Sequence, residues 1–159
     1  MTLAVEDCIP SCTLSVIGDE APNSVSTSDL LHGKKILLLA LPGAFTPGCS
    51  MTHPPRYVVN AHTTKSKGVG SIVCMSVNNA FVMGARGKAQ NAYEIVMPAD
   101  GNGELTAALG LELDGSGFGL GSRSQRLAMI VEHGKVTHLN IEEGPDVGVG
   151  SAETMMALL

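Results

Sequence analysis

Residues 36–53 read Ile36-Leu37-Leu38-Leu39-Ala40-Leu41-Pro42-Gly43-Ala44-Phe45-Thr46-Pro47-Gly48-Cys49-Ser50-Met51-Thr52-His53. The apolar run Ile36 to Leu41 is too short to cross a membrane and too uniformly apolar for a strand with one wet face. It predicts a strand buried on both faces. Pro42-Gly43 ends that strand, Pro47-Gly48 makes a second break, and Cys49 opens a helix. A cysteine at a helix N-terminus meets unpaired backbone N–H groups and the positive end of the helix dipole, both of which favour its thiolate. This is the setting of a reactive thiol.

Outward from that stretch, strands and helices alternate. Leu14–Ile17 reads as a short edge strand, and Ser28 caps a short helix closed by Gly33. The helix from Cys49 is expected to run to about Ser66, with a break near residues 53–55 because Pro54-Pro55 removes backbone donors. Val69–Val77 predicts a second buried strand. Asn78 or Asn79 caps a helix to about Asn91, and Glu94–Met97 is a short strand. Glu104–Leu109 is a helix stopped by Gly110. The glycine-rich run 114–122 carries no assignable pattern. Arg126–Val131 and Val136–Ile141 read as a hairpin turned at His133-Gly134. Ser151 caps a last helix with Met155, Leu158 and Leu159 at helical spacing. The expected fold class is α/β: a mixed central β-sheet with helices on both faces, one domain over residues 1–159.

Composition narrows the function. With 44% hydrophobic and 16% charged residues the chain suits a packed core. The net charge of −5, the lack of a basic run and an aromatic share of 3% argue against nucleic acid as a partner. No apolar segment is long enough to span a membrane, and residues 1–7 lack the pattern of a secretion signal. The four cysteines, Cys8, Cys12, Cys49 and Cys74, are too sparse for a disulfide scaffold. They point to a reducing compartment, cytoplasm or organelle matrix. Cys49-x-x-x-His53 is half of a zinc site with no second Cys/His pair to complete it, so no metal is expected. No nucleotide fingerprint lies between a strand and a helix, so no cofactor is expected. His62, His133 and His138 read as surface residues, and Asp19, Asp100 and Asp114 as turn residues.

Pro42-x-x-x-Thr46-x-x-Cys49, in the form Pro-Gly-Ala-Phe-Thr-Pro-Gly-Cys-Ser, resembles the active-site motif of the peroxiredoxins, closest to the peroxiredoxin 5 / plant type II branch. Further similarity runs through Ser76–Val82, Leu109–Leu113 and Arg123–Arg126, so it spans about residues 30–141. The resemblance implies a thioredoxin-like fold and a thiol peroxidase acting on hydrogen peroxide and alkyl hydroperoxides. It assigns Cys49 as the nucleophile, oxidised to a sulfenic acid, with Pro42, Thr46 and Arg126 around it. Thioredoxin, glutaredoxin or glutathione would restore the thiol. Cys74 matches a cysteine proposed in plant-type relatives to resolve the sulfenic acid, although within an apolar strand a cysteine is ordinarily an inert hydrophobe. One-cysteine chemistry with an external thiol is the favoured expectation. Branch members commonly dimerise beside the active-site loop, which makes Phe45, Phe81 and Met83 the expected apolar contacts of a homodimer. Three departures stand out. Arg56 and Arg86 occupy positions where glycine and tryptophan are usual, and Arg86 is expected to alter a partner surface. Residues 144–159 contain no cysteine. The alternative is a redox sensor that passes oxidation from Cys49 to a partner thiol; turnover with a small reductant separates the two.

The chemistry sets what Cys49 needs. A thiol of ordinary pKa is about 3% thiolate at pH 7, so lowering its pKa by about three units raises the thiolate roughly thirtyfold. The same change costs roughly twentyfold in nucleophilicity. The two nearly cancel. Speed must come from groups that bind the peroxide oxygens more tightly as the O–O bond breaks, each tenfold needing about 1.4 kcal/mol. Thr46, the N–H groups near Gly48 and Cys49, and the charge of Arg126 are the residues available for this. Arg123 is a supporting candidate.

Overall fold

The computed structural model describes residues 2–18, 21–31, 33–43, 57–92, 94–142 and 149–159. In chain order the elements are β1 (Thr13–Ile17), β2 (Pro22–Ser26), α1 (Thr27–Leu31), β3 (Lys35–Leu41), α2 (Ala61–Ser66) and β4 (Ser71–Ser76). They continue as α3 (Ala80–Ala89), β5 (Ile95–Val96), α4 (Glu104–Leu109), β6 (Glu112–Asp114), β7 (Ser122–Ser124), β8 (Leu127–Glu132), β9 (Lys135–Ile141) and α5 (Ala152–Ala157). The main sheet has the order β5-β4-β3-β8-β9. β3 pairs parallel with β4 and antiparallel with β8, so the sheet is mixed and β3 is its centre.

The uniform apolar run of β3 is explained by its position. Leu37, Leu39 and Leu41 face one layer with Tyr57, Ala61, Met83 and Met155, while Ile36, Leu38 and Ala40 face the other with Leu31, Leu105 and Leu109. α2, α3 and α5 therefore cover one face, and α1 and α4 the other. Every side chain from Ile36 to Leu41 is at most 3% exposed. Full burial of each leucine contributes about 1.5–3 kcal/mol.

Local chemistry sets the element ends. Asn79, the second of the two expected caps, accepts the Val82 N–H at 2.9 Å and starts α3. Ser151 accepts the Thr154 N–H at 3.2 Å and starts α5, as expected. α1 differs: Ser28 lies inside the helix, and Ser26 accepts the Asp29 N–H instead. α4 is capped by Asp100, which is 2% exposed and accepts from the Leu105 and Thr106 N–H groups and the Thr106 hydroxyl. Asp100 is thus a buried cap as well as a turn residue. His133 and Gly134 both have positive φ, as a two-residue hairpin turn between right-twisted strands requires.

Three regions depart from the sequence reading. β2 pairs with β1 as a separate antiparallel ribbon, and its polar residues gave no strand signal. The glycine-rich run forms β6 and β7 around a 3-10 turn at Ser116–Phe118. Arg86, expected on a partner surface, is completely buried in α3, because its helical position turns it inward with Met83. The expected helix break near residues 53–55 lies outside the described residues, as do Asp19 and Arg56. The edge of β9 is covered by the N-terminal segment: Glu6 and Ile9 N–H groups donate to Val136 and Gly134 carbonyls, and the Val136 N–H donates to Asp7.

Candidate active site

The site is built on one end of the sheet. β3 and β4 run parallel, so Leu41 and Ser76 are paired where both strands finish. β8 runs the opposite way and begins there, with Leu127 opposite Ala40. Arg126 immediately precedes β8 at this end, and the Glu142 N–H donates to the Arg126 carbonyl at 2.9 Å. Leu41 and Ser76, which end β3 and β4, thus lie at the same end of the sheet as Arg126 and Glu142, which flank β8 and β9. Pro42, half-buried, follows Leu41 directly.

The antiparallel pairing of β3 and β8 brings Pro42 and Arg126, 84 positions apart in the chain, to the same end of the sheet. Alternation along β8 puts Arg126 on the face of Ala128 and Ile130, the face also covered by Tyr57 and α5. Arg126 is 7% exposed. A guanidinium withdrawn from water acts on a nearby anion through a lower dielectric, and there its charge is worth more than at the surface. Thr46 and Cys49 lie outside the described residues. They follow Pro42 by four and seven positions in the chain.

Arg123 has a different job from Arg126. Its Nε donates to the Leu120 carbonyl at 2.8 Å, and its Nη1 donates to the Val77 carbonyl just beyond β4. It pins the β6–β7 ribbon to the same end of the sheet. Cys74 sits inside β4, opposite Leu39 and fully buried among Leu37, Leu39 and Ile72. A disulfide needs Cα atoms within about 7 Å and compatible Cβ directions, so Cys74 is available to another thiol only if this layer opens. Cys8 is exposed and Cys12 half-buried. Burial, then the Asp100 and Glu104 carboxylates, push the Cys12 thiol up, away from the reactive form. His62 and His133 are exposed and His138 is half-buried.

Residues that sequence reasoning missed complete the surroundings. Tyr57 is fully buried and donates its hydroxyl to the Gly150 carbonyl at 2.8 Å. Burial, then the Glu153 carboxylate, raise its pKa, so it remains a protonated donor. The Gly150 N–H in turn donates to the Glu142 carboxylate at 2.8 Å. Tyr57 lies eight positions after Cys49, the only hint of this arrangement in the sequence. Among the described residues, cavities of about 280 and 440 Å³ are lined by Thr13, Ser15, Asp100 and Glu104 and by Cys8, Thr27 and His133. Neither is lined by Pro42 or Arg126.

The family model described as Redoxin matches residues 4–156. Peroxiredoxin-2B of Arabidopsis thaliana is 44% identical over 160 residues, covering 99% of this chain and 98% of the relative. Reduced Prx3 in complex with H2O2 from Vibrio vulnificus superposes with a TM-score of 0.95 at 49% identity, covering 99% of both chains. Peroxiredoxin 5 from Alvinella pompejana gives a TM-score of 0.86 at 32% identity, covering 98% of this chain and 96% of the other.

Proposed function

Since the chain belongs to the peroxiredoxin family, in its peroxiredoxin 5 / plant type II branch, and is a thiol peroxidase on a thioredoxin-like fold, we propose that Cys49 is its peroxidatic nucleophile. The single observation that carries the assignment is that buried Arg126 enters β8 at the end of the sheet where β3 finishes and Pro42 follows. Residues 1–159 act as one catalytic domain.

The Cys49 thiolate attacks one oxygen of the hydroperoxide. An S–O bond forms, the O–O bond breaks, and the departing oxygen takes up a proton as water or an alcohol. Sulfur is oxidised by two electrons to the sulfenic acid, and the peroxide is reduced by two. Thr46 accepts from the peroxide and donates to the developing oxyanion, Arg126 stabilises the charge shared by sulfur and oxygen, and Pro42 shapes the loop. Hydrogen peroxide is a reasonable substrate by analogy with the Vibrio protein, whose reduced form is described with it bound. An external thiol then attacks the sulfenic acid and releases water, and a second thiol frees Cys49 as a mixed disulfide is exchanged. Thioredoxin, glutaredoxin or glutathione supplies those thiols. The deep burial of Cys74 favours this one-cysteine route.

The protein is expected to work in a reducing compartment; among the described residues no helix is long and apolar enough to cross a membrane, and two similar relatives are named chloroplastic. For assembly, Phe81, 64% exposed at the start of α3, supports a homodimer contact at this end of the sheet. Met83 does not, since it is fully buried in the core, and Phe45 lies outside the described residues.

The test is peroxide consumption with each reductant. Cys49→Ser is expected to abolish it, and Cys74→Ser to retain it with glutathione and glutaredoxin. Turnover that survives Cys49→Ser removes the assignment. A stoichiometric Cys49–Cys74 disulfide, with turnover lost in Cys74→Ser, replaces the one-cysteine route by an internal one.

A further inference from the structure

We propose that Glu142 is a positioning residue for peroxide attack, holding the main chain of Arg126 so that its guanidinium is aimed correctly. The inference rests on the peroxidase reading above. Glu142 follows Ile141, the last residue of β9, and grips the site at two points. Its backbone N–H donates to the Arg126 carbonyl at 2.9 Å, and its Oε1 accepts the Gly150 N–H at 2.8 Å.

The second grip is what makes the first one rigid. Strand ends fray unless something outside the ladder holds them. Here the carboxylate ties the end of β9 to the turn that starts α5. The turn is itself immobilised. Gly150 is buried, and its carbonyl accepts from the Tyr57 hydroxyl at 2.8 Å. Asn140 Nδ2 donates to the Val149 carbonyl at 2.7 Å. A side chain at Gly150 would lie 3.4 Å from Glu142 Oε1 and 3.5 Å from Ala128 Cβ, so the turn packs closely on the start of β8. Tyr57, Gly150 and Glu142 thus form a chain of hydrogen bonds ending at the backbone of Arg126.

The functional consequence follows from where Arg126 lies. It precedes the first residue of β8, so its direction depends on how firmly that strand end is held. Misplacing a reacting or stabilising group by about 1 Å costs up to roughly a hundredfold in rate.

The test measures the second-order rate of hydrogen peroxide attack at a pH where Cys49 is fully ionised, beside the unfolding midpoint of each variant. Glu142→Ala should slow attack about tenfold. Glu142→Gln, whose amide oxygen still accepts from Gly150, should stay within about twofold of the parent. In an Arg126→Gln background Glu142→Ala should have no further effect, because the group it aims is gone; a general loss of structure would still lower the rate there. Parent-like attack by Glu142→Ala, multiplying effects in the double variant, or Glu142→Gln as slow as Glu142→Ala would each overturn the proposal. If Glu142→Ala folds poorly, Tyr57→Phe replaces it: about threefold slower alone and neutral with Arg126→Gln supports the relay, while equal rates alone overturn it. A parent protein that consumes no peroxide through Cys49 defeats the peroxidase reading itself, and this proposal with it.

Discussion

Arg123 joins the β6–β7 ribbon to the end of β4, donating through Nη1 to the carbonyl of Val77, 46 positions away. The bond anchors the glycine-rich ribbon β6–β7, which has few side chains of its own to pack. Arg123→Ala should therefore destabilise the protein by about 1–3 kcal/mol, the usual cost of leaving a partly buried acceptor unpaired. Hydrogen exchange should rise first in residues 112–124. Uniform loss of protection across β3 and β4 instead would mean that the ribbon is not a separate unit.

For Arg126 the expected effect is on rate. Arg126→Gln should slow peroxide attack by at least about tenfold even at a pH where Cys49 is fully ionised, equivalent to about 1.4 kcal/mol of lost transition-state binding. Stopped-flow rates over a pH series separate this from any change in thiolate fraction. Equal plateau rates for variant and parent would remove Arg126 from transition-state stabilisation.

Alkylation should rank the remaining thiols by access. In Cys49→Ser protein, Cys8 should react with iodoacetamide first, Cys12 more slowly because its thiolate is suppressed by burial and by Asp100 and Glu104, and Cys74 last. Peptide mass spectrometry over time reads the order. Labelling of Cys74 as fast as Cys8 would show that the layer around Leu39 opens readily, and would revive Cys74 as a resolving thiol.

Tyr57 makes stability fall in alkali. Its folded pKa is raised above the ordinary 10.0, so below about pH 10 the phenol is neutral in both states and its burial is unopposed. As pH rises past that value the unfolded chain ionises and the folded one resists, so stability is lost with increasing pH. Tyr57→Phe should be less stable at neutral pH, where the Gly150 carbonyl loses its donor, yet show a shallower decline above about pH 10. Urea midpoints across that range check the crossing slopes.

How much of this could be read from the chain depended on whether the partners were local. Ile36–Leu41 announced a doubly buried strand because every residue in it is apolar, and the hairpin at His133-Gly134 carried its own turn chemistry. β2 escaped notice because Pro22-Asn23-Ser24 looks like loop, and β6–β7 because its pairing joins flanks separated by glycines. Arg126 could be told from Arg123 only by resemblance; in the fold one is buried just before β8 and the other donates to the Leu120 and Val77 carbonyls. Arg86 misled, since a lone arginine in a helix reads as surface. Tyr57 and Glu142 were silent because their meeting point, Gly150, lies 93 positions from the first of them.

The N-terminal segment along β9 also bears on solubility. β5, one margin of the sheet, is only two residues long, too short to template another strand. β9, the other margin, is seven residues long, and over its first half the backbone groups that would invite a foreign strand are already taken by residues 6–9. An unpaired flat edge is where proteins begin to stack on one another. Those few residues therefore act as a guard rail against self-association, and removing them would leave the chemistry of the opposite end in place while making the protein prone to precipitate.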